Sequence, residues 1–174
     1  GLGERKVVAG DVIILCGRGP MGAGMEEVAQ VSLALKHLDW GKKVALLTDA
    51  RFSGMSTGAC IGHISPEALA GGPIGKIIDD DLIQIEINLK SMQGTINFVG
   101  VKNQYLQPKE ASALLANRAQ NVKLEIDPRL HLDTKLWAAL QNVSGGTWAG
   151  CVYDSEKIIE TLEAGQHALR KKLI

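Results

Sequence analysis

Positions 11–16, DVIILC, end in five consecutive apolar residues and are closed on both sides by glycine, Gly10 and Gly17. So short a run, without polar alternation, reads as a strand buried on both faces, and such a strand needs packed layers above and below it. The next eight residues, GRGPMGAG, hold four glycines and a proline and read as a loop. Val28, Val31, Leu35 and Leu38 then recur at helical spacing. They predict a helix over 25–38, with Glu26 and Glu27 in its first turn and Gly41 beyond its end. A second buried strand is expected at 43–48, KVALLT, and a strand, helix, strand order of this length favours a right-handed parallel crossover.

The pattern changes in the second half. Residues 49–62 read as another small-residue loop, and 66–70 as a helical turn stopped by Gly71, Gly72 and Pro73. LIQIEIN at 82–88 alternates with Ile83, Ile85 and Ile87 on one face, and TINFVG at 95–100 alternates again, which predicts an antiparallel hairpin. Helices are expected at 108–117, 134–143 and 154–173. The last has Ile158, Leu162, Leu169 and Leu173 on one stripe behind a possible Asp154 cap. The result is an α/β chain of 174 residues, the length of a single domain over 1–174.

Charge narrows the partners. Nineteen Lys and Arg balance nineteen Asp and Glu, so no global basic field exists to gather nucleic acid or an anionic membrane. No apolar run approaches a membrane span and residues 1–6 lack the core of a signal peptide, so the expectation is a cytoplasmic protein. Cys16, Cys60 and Cys151 stand too far apart for a paired metal motif. The start at Gly1, without Met, suggests a processed chain or a piece of a longer one.

Three motifs compete in the glycine loops. Gly17-x-Gly19-x-x-Gly22 fits a dinucleotide fingerprint between a strand and a helix, but the acid expected about 20 residues on is missing. Asp49 lies 32 residues beyond Gly17, and Pro20 interrupts the turn. Gly54-Met55-Ser56-Thr57-Gly58 fits a nucleophile elbow but has no helix directly after it, and Gly75-Lys76 lacks the flanking residues of a phosphate loop. As a pair, the loops follow neighbouring buried strands at the edge where open α/β sheets bind ligands. They offer Arg18, Glu26, Glu27, Asp49, Arg51, Ser53, Ser56, Thr57 and His63. Carboxylates suit a hard divalent ion, guanidinium a carboxylate or phosphate, and hydroxyls proton transfer. The plainer alternatives are dipole complementarity for the glutamates, loop hydrogen bonding for the hydroxyls, and a satisfied histidine near the core for His63.

LTDARFSGMSTGACIGHISPEALAGGPIGKIIDDDLIQIEIN at 47–88 and GDVIILCGRGPMGAGMEEV at 10–28 closely resemble the signatures of the dihydroxy-acid dehydratase and 6-phosphogluconate dehydratase family. With LWAALQNVSGGTWAGCVYD at 136–154, they are most similar to its sugar-acid branch, the xylonate dehydratases. The resemblance covers only the C-terminal domain of longer enzymes. It implies a swivelling β/β/α domain, a small mixed sheet or barrel with a parallel part and an antiparallel hairpin, flanked by helices.

The resemblance also implies chemistry: water is removed from a 2,3-dihydroxy acid to give a 2-keto-3-deoxy acid. In the family an N-terminal domain holds an iron–sulfur cluster on three cysteines and most ligands of a Mg²⁺ ion, and the full enzyme is expected to be a homo-oligomer. None of Cys16, Cys60 and Cys151 matches a cluster ligand. Ser53 takes the place of the serine base and Glu27 that of the C-terminal Mg²⁺ ligand. Arg51, Ser56, Thr57 and His63 are candidates for substrate binding, His63 with no role beyond shaping the cleft. By this reading the chain is a half-site, inactive alone. The alternative is a catalytically silent, stand-alone ligand-binding module of the same fold.

Overall fold

A computed structural model describes residues 6–121 and 124–172. The first buried run forms β1 (Val12–Leu15), which lies parallel to β3 (Ala45–Thr48) in the register Val12↔Ala45 to Leu15↔Thr48. On its other side β3 pairs in parallel with the two-residue β5 (Cys60–Ile61). Being central, β3 is buried over its last three residues, with Leu46, Leu47 and Thr48 at most 3% exposed. The Thr48 hydroxyl donates to the Leu15 carbonyl at 2.6 Å. Leu46 joins Leu35 and Val44 in the core, and Ile13, Val31, Trp40, Phe52 and Cys60 pack against them.

The helix expected over 25–38 is corrected by the structure. The proline in the glycine loop starts a single turn, α1 (Pro20–Ala23), which Gly24 ends in the left-handed region at φ 61°. Met25 is also left-handed, at φ 67°, so the chain cannot continue as a helix. It extends instead into β2 (Glu27–Val28), and the helix proper is only α2 (Gln30–Lys36). The loop expected over 49–62 likewise contains β4 (Arg51–Phe52) as well as β5. β2 and β4 pair in parallel, Glu27 opposite Arg51 and Val28 opposite Phe52. Val28 satisfied the helical period because it is buried, but it is buried as a strand residue.

The antiparallel half follows its alternation. β6 (Asp81–Asn88) and β7 (Gln93–Val101) form the hairpin, and β8 (Gln104–Tyr105) adds a short third strand. Arg118 fixes this sheet to the helical layer. Its guanidinium donates to both oxygens of Asp81 at 2.5 and 2.8 Å and lies 5.0 Å from the centre of the Phe98 ring. The bond to Asp81 raises the Arg118 pKa further above its ordinary value. Pro108 opens α3 (Pro108–Asn117), where Glu110 accepts the Gln107 N–H at 3.1 Å, and α3 packs on β7. α4 (Leu132–Ser144) packs against α1 and stops at Gly145, φ 90°. A 3-10 turn (Gly146–Ala149) leads on to α5 (Ser155–Lys172), where Asp154 accepts the Lys157 N–H at 3.0 Å in the expected cap. Parallel strands, antiparallel hairpin and flanking helices make the mixed α/β arrangement expected, and no helix among the described residues is long and apolar enough to cross a membrane.

Candidate functional site

Pairing of β2 with β4 brings the two glycine-loop motifs together. Glu27, exposed, stands opposite Arg51, and the Arg51 N–H donates to the Glu26 carbonyl at 3.3 Å. The Arg51 side chain lies back across the first loop, its Nε donating to the Met25 carbonyl at 2.7 Å. Ser53 follows β4 directly and is half-buried. It is two residues from Arg51, the separation at which extended chain turns side chains to the same side. The Ser53 Oγ accepts the Met55 N–H at 3.3 Å, and its carbonyl accepts the Ser56 N–H at 2.9 Å. Ser53 therefore sits in a tight turn with a backbone donor aimed at its oxygen.

The remaining predicted residues spread outwards. Ser56 is half-buried and turned towards α2, where its Oγ lies 3.0 Å from Ser32 Oγ; the Ser32 hydroxyl donates to the Ala29 carbonyl at 2.9 Å, which leaves Ser56 to donate to Ser32. Thr57 is exposed, and its carbonyl accepts the Cys60 thiol at 3.4 Å. His63 is exposed rather than near the core. It is held in the left-handed region at φ 57°, with its N–H on the Ala50 carbonyl at 2.8 Å. Its side chain borders a cleft of about 130 Å³, shared with Met25, Asp49, Glu67, Thr147 and Cys151. A larger groove of about 290 Å³, lined by Gly71, Lys76, Ser112 and Leu115, carries none of the predicted residues.

Several members of the sequence inventory turn out to be structural. Asp49 is 1% exposed and accepts the N–H groups of Gly17 at 2.9 Å, Arg18 at 3.1 Å and Ala68 at 3.0 Å. The Arg18 guanidinium is engaged by Glu26 and, at 3.4 Å, by Asp127. Bonds from the Arg129 backbone and side chain, with Arg18 adding its charge, hold the Asp127 carboxyl below its usual range.

Glu67 gave no signal in the sequence beyond being one acid in the stretch SPEALAGG, yet it organises the first loop. It is 1% exposed. Its carboxylate accepts the Met21 N–H at 2.8 Å, the Gly22 N–H at 3.4 Å and the Thr147 hydroxyl at 3.2 Å. Burial pushes its pKa up, against the pull of those donors. The G-x-G-x-x-G run is thus filled from within. Four of the amides that would cradle a pyrophosphate already face Asp49 and Glu67, so the nucleotide reading fails on geometry.

Glu27 is an oxygen ligand of the kind Mg²⁺ takes, but among the described residues no group of three or more His, Cys, Asp or Glu side chains could hold a metal ion. Glu27 fits as one contributed carboxylate. The three cysteines do not fit as cluster ligands. Cys16 and Cys60 are half-buried thiols whose pKa values burial raises, and Cys151 is exposed.

Residues 2–135 match the family described as dihydroxy-acid/6-phosphogluconate dehydratase C-terminal. Over 166 residues the chain is 54% identical to the D-xylonate dehydratase YagF of Escherichia coli (strain K12), covering 95% of this chain and 25% of that protein. It is 56% identical over 155 residues to the D-xylonate dehydratase YjhG of the same strain, covering 88% and 24%. A dihydroxy-acid dehydratase of Leifsonia xyli subsp. xyli (strain CTCB07) is 48% identical over 88 residues, 50% of this chain and 16% of that protein. The chain spans about a quarter of the length of the curated D-xylonate dehydratases it matches.

Proposed function

The chain belongs to the dihydroxy-acid/6-phosphogluconate dehydratase C-terminal family, and from that premise we propose that it is the C-terminal half-site of a hydro-lyase that dehydrates a 2,3-dihydroxy sugar acid such as xylonate. The observation that carries this reading is the β2–β4 register. It sets Glu27 beside Arg51, with Ser53 two residues past Arg51, although the two motifs are far apart in sequence. The identity to two D-xylonate dehydratases supports the sugar-acid substrate.

Dehydration of such an acid starts with loss of the proton beside its carboxylate, which builds negative charge next to a group already negative. A Mg²⁺ ion bound with Glu27 among its ligands supplies the charge that stabilises that state. Ser53 is the base in this reading: as the alkoxide its Oγ takes the proton, and the electron pair left on carbon expels the 3-hydroxyl, giving the enol of the 2-keto-3-deoxy acid and, with the proton that Ser53 holds, water. A serine alkoxide needs donors, and the Met55 N–H already points at the Oγ. The Arg51 guanidinium, held by the Met25 carbonyl, offers its further N–H groups to the substrate carboxylate in this reading. Ser56, Thr57 and His63 are in this reading further contacts to a hydroxyl-rich substrate, through their hydroxyls and imidazole. The other Mg²⁺ ligands and the iron–sulfur cluster belong to the region that the longer relatives possess in addition.

The test replaces the corresponding quarter of the E. coli D-xylonate dehydratase by this chain and follows xylonate dehydration. Ser53→Ala is expected to lower kcat about a thousandfold with little change in KM, and Glu27→Gln to raise the Mg²⁺ concentration required. Normal turnover by the Ser53→Ala hybrid removes the base. Xylonate turnover by the 174-residue chain alone removes the split site.

A further inference from the structure

The cleft of about 130 Å³ that His63 borders adjoins the half-site. Two of its rim residues are tied to the start of β4. The Met25 carbonyl accepts Arg51 Nε at 2.7 Å, and the His63 N–H donates to the carbonyl of Ala50 at 2.8 Å. A further side comes from the turn at 146–151, which supplies Thr147 and Cys151. That turn is fixed to its surroundings. The Thr147 hydroxyl donates to Glu67 at 3.2 Å, Trp148 Nε1 to the Ala70 carbonyl at 3.0 Å, and Gln141 Nε2 to the Cys151 carbonyl at 3.0 Å. A Cβ on Gly146 would lie 2.6 Å from Met21 Cγ, so glycine lets the turn seat closely on the first loop. Met25, His63 and Cys151 all stand in the left-handed region, at φ 67°, 57° and 60°. Each such residue costs about 1 kcal/mol or more, and conformations of this kind gather where a ligand is clamped.

Chemistry selects the occupant. With its proton on Glu67, the Thr147 oxygen faces a ligand as an acceptor, and the carboxyl groups of Asp49 and Glu67 also border the cleft. A neutral hydroxyl supplies the donor that this set needs. An alkyl group supplies none, and a phosphate brings negative charge against the carboxyl groups. The volume of about 130 Å³ corresponds to about four heavy atoms at roughly 30 Å³ each. The family match ends at residue 135, before the turn, whereas the match to the D-xylonate dehydratase YagF takes in 95% of the chain and the turn with it. We infer, resting on the half-site reading, that this cleft receives the hydroxylated tail of the substrate, C4 and C5 of a five-carbon sugar acid with their two hydroxyls, and that Thr147 is the residue that reads it. Arg51 takes the carboxylate end, and the cleft takes the carbons that do not react. A site that hydrogen-bonds a substrate hydroxyl discriminates against an analogue without it, because its own polar groups are then left unpaired.

The test uses the hybrid dehydratase and three 2,3-dihydroxy acids: xylonate, glycerate, which ends at C3, and 6-phosphogluconate, whose tail ends in phosphate. Cys151, an exposed thiol at the cleft, reports occupancy through its rate of alkylation by iodoacetamide, mapped by mass spectrometry. Near-saturating xylonate is expected to slow that alkylation about tenfold, and the other two acids less than about twofold. Thr147→Val should lower the ratio of kcat/KM for xylonate to that for glycerate about tenfold, the effect of one lost hydrogen bond, and Thr147→Ser should restore it. An equal loss with both acids would reduce Thr147 to a support for Glu67 and overturns the proposal. So does xylonate that leaves Cys151 fully reactive, or 6-phosphogluconate that protects it as well as xylonate does. Failure of the half-site reading looks different: the unaltered hybrid turns over neither acid, or Ser53→Ala stays active. Alkylation then still decides the cleft, because protection needs bound acid but no chemistry.

Discussion

Asp49 stood in the sequence inventory as a carboxylate available to a metal ion, and the structure makes it a scaffold group, a difference with a measurable size. Its side chain is sealed from solvent, and its two oxygens take three backbone N–H groups from two loops: Gly17, Arg18 and Ala68. In Asp49→Asn the amide oxygen can replace Oδ2 and keep Gly17 and Ala68, but the NH₂ then confronts the Arg18 N–H. One buried donor is left unpaired, a cost of about 2 kcal/mol. Asp49→Ala leaves all three donors unpaired, offset in part because a charge is no longer buried, for a net cost of about 4 kcal/mol. With a urea m-value of about 2 kcal/mol/M, the unfolding midpoint should fall about 1 M for Asn and about 2 M for Ala. Urea titration of the three chains by circular dichroism gives both shifts. The order carries the reasoning. A structural acceptor predicts Ala well below Asn, whereas a metal ligand predicts that both variants stay within about 0.3 M of the parent and lose only activity. Equal, small shifts would refute the assignment.

Two further outcomes follow from burial. Glu67 has its pKa raised above the ordinary 4.5, chiefly by burial, so between that value and its higher folded value the native chain binds more protons than the unfolded one. Stability contributed by the group is therefore lost as pH rises through this window, the reverse of an ion-paired carboxylate. The urea midpoint of the parent minus that of Glu67→Gln should fall from pH 4.5 towards neutrality, and a rising difference would contradict the cause assigned. Among the thiols, Cys16 and Cys60 are half-buried with raised pKa values while Cys151 is exposed. A thiol reagent near pH 7.5 should consume one equivalent quickly, mapped to Cys151 by mass spectrometry, and two slowly. Three equal rates would show that the β1 and β5 ends are open.

Whatever rests on local pattern was legible in the sequence. The runs at 11–16 and 43–48 became β1 and β3, the alternation of Ile83, Ile85 and Ile87 became β6, and the proline at 108 opened α3 at the expected residue. The misreading at 25–38 has a definite cause. Val28, Val31 and Leu35 satisfy a helical period, but only the last two share a helix, because two left-handed residues, Gly24 and Met25, precede an extended pair. Nothing local announces that pair. β2 exists because β4, more than twenty residues later, offers it a ladder, and a non-local partner has no signature in a window of ten or fifteen residues.

The same argument explains why the residues of the candidate site were nameable while their neighbours were not. Glu27, Arg51 and Ser53 sit in motifs that can be compared as strings of letters. Asp49 and Glu67 act through carboxylates that reach backbone amides between 19 and 46 positions away. Those amides are chemically identical whatever the residue, so their partners leave no trace in composition or spacing. A glycine-rich loop followed by a helical turn exposes N–H groups that call for an anion. The sequence can pose that requirement, but only the fold decides whether a ligand or the chain's own carboxylate answers it. Here Glu67 answers it for Met21 and Gly22, and Asp49 for Gly17 and Arg18. The first loop is rigid scaffolding for that reason. The proposed chemistry lies at its far end, where Glu27 leaves the scaffold and pairs with the strand that carries Arg51 towards Ser53.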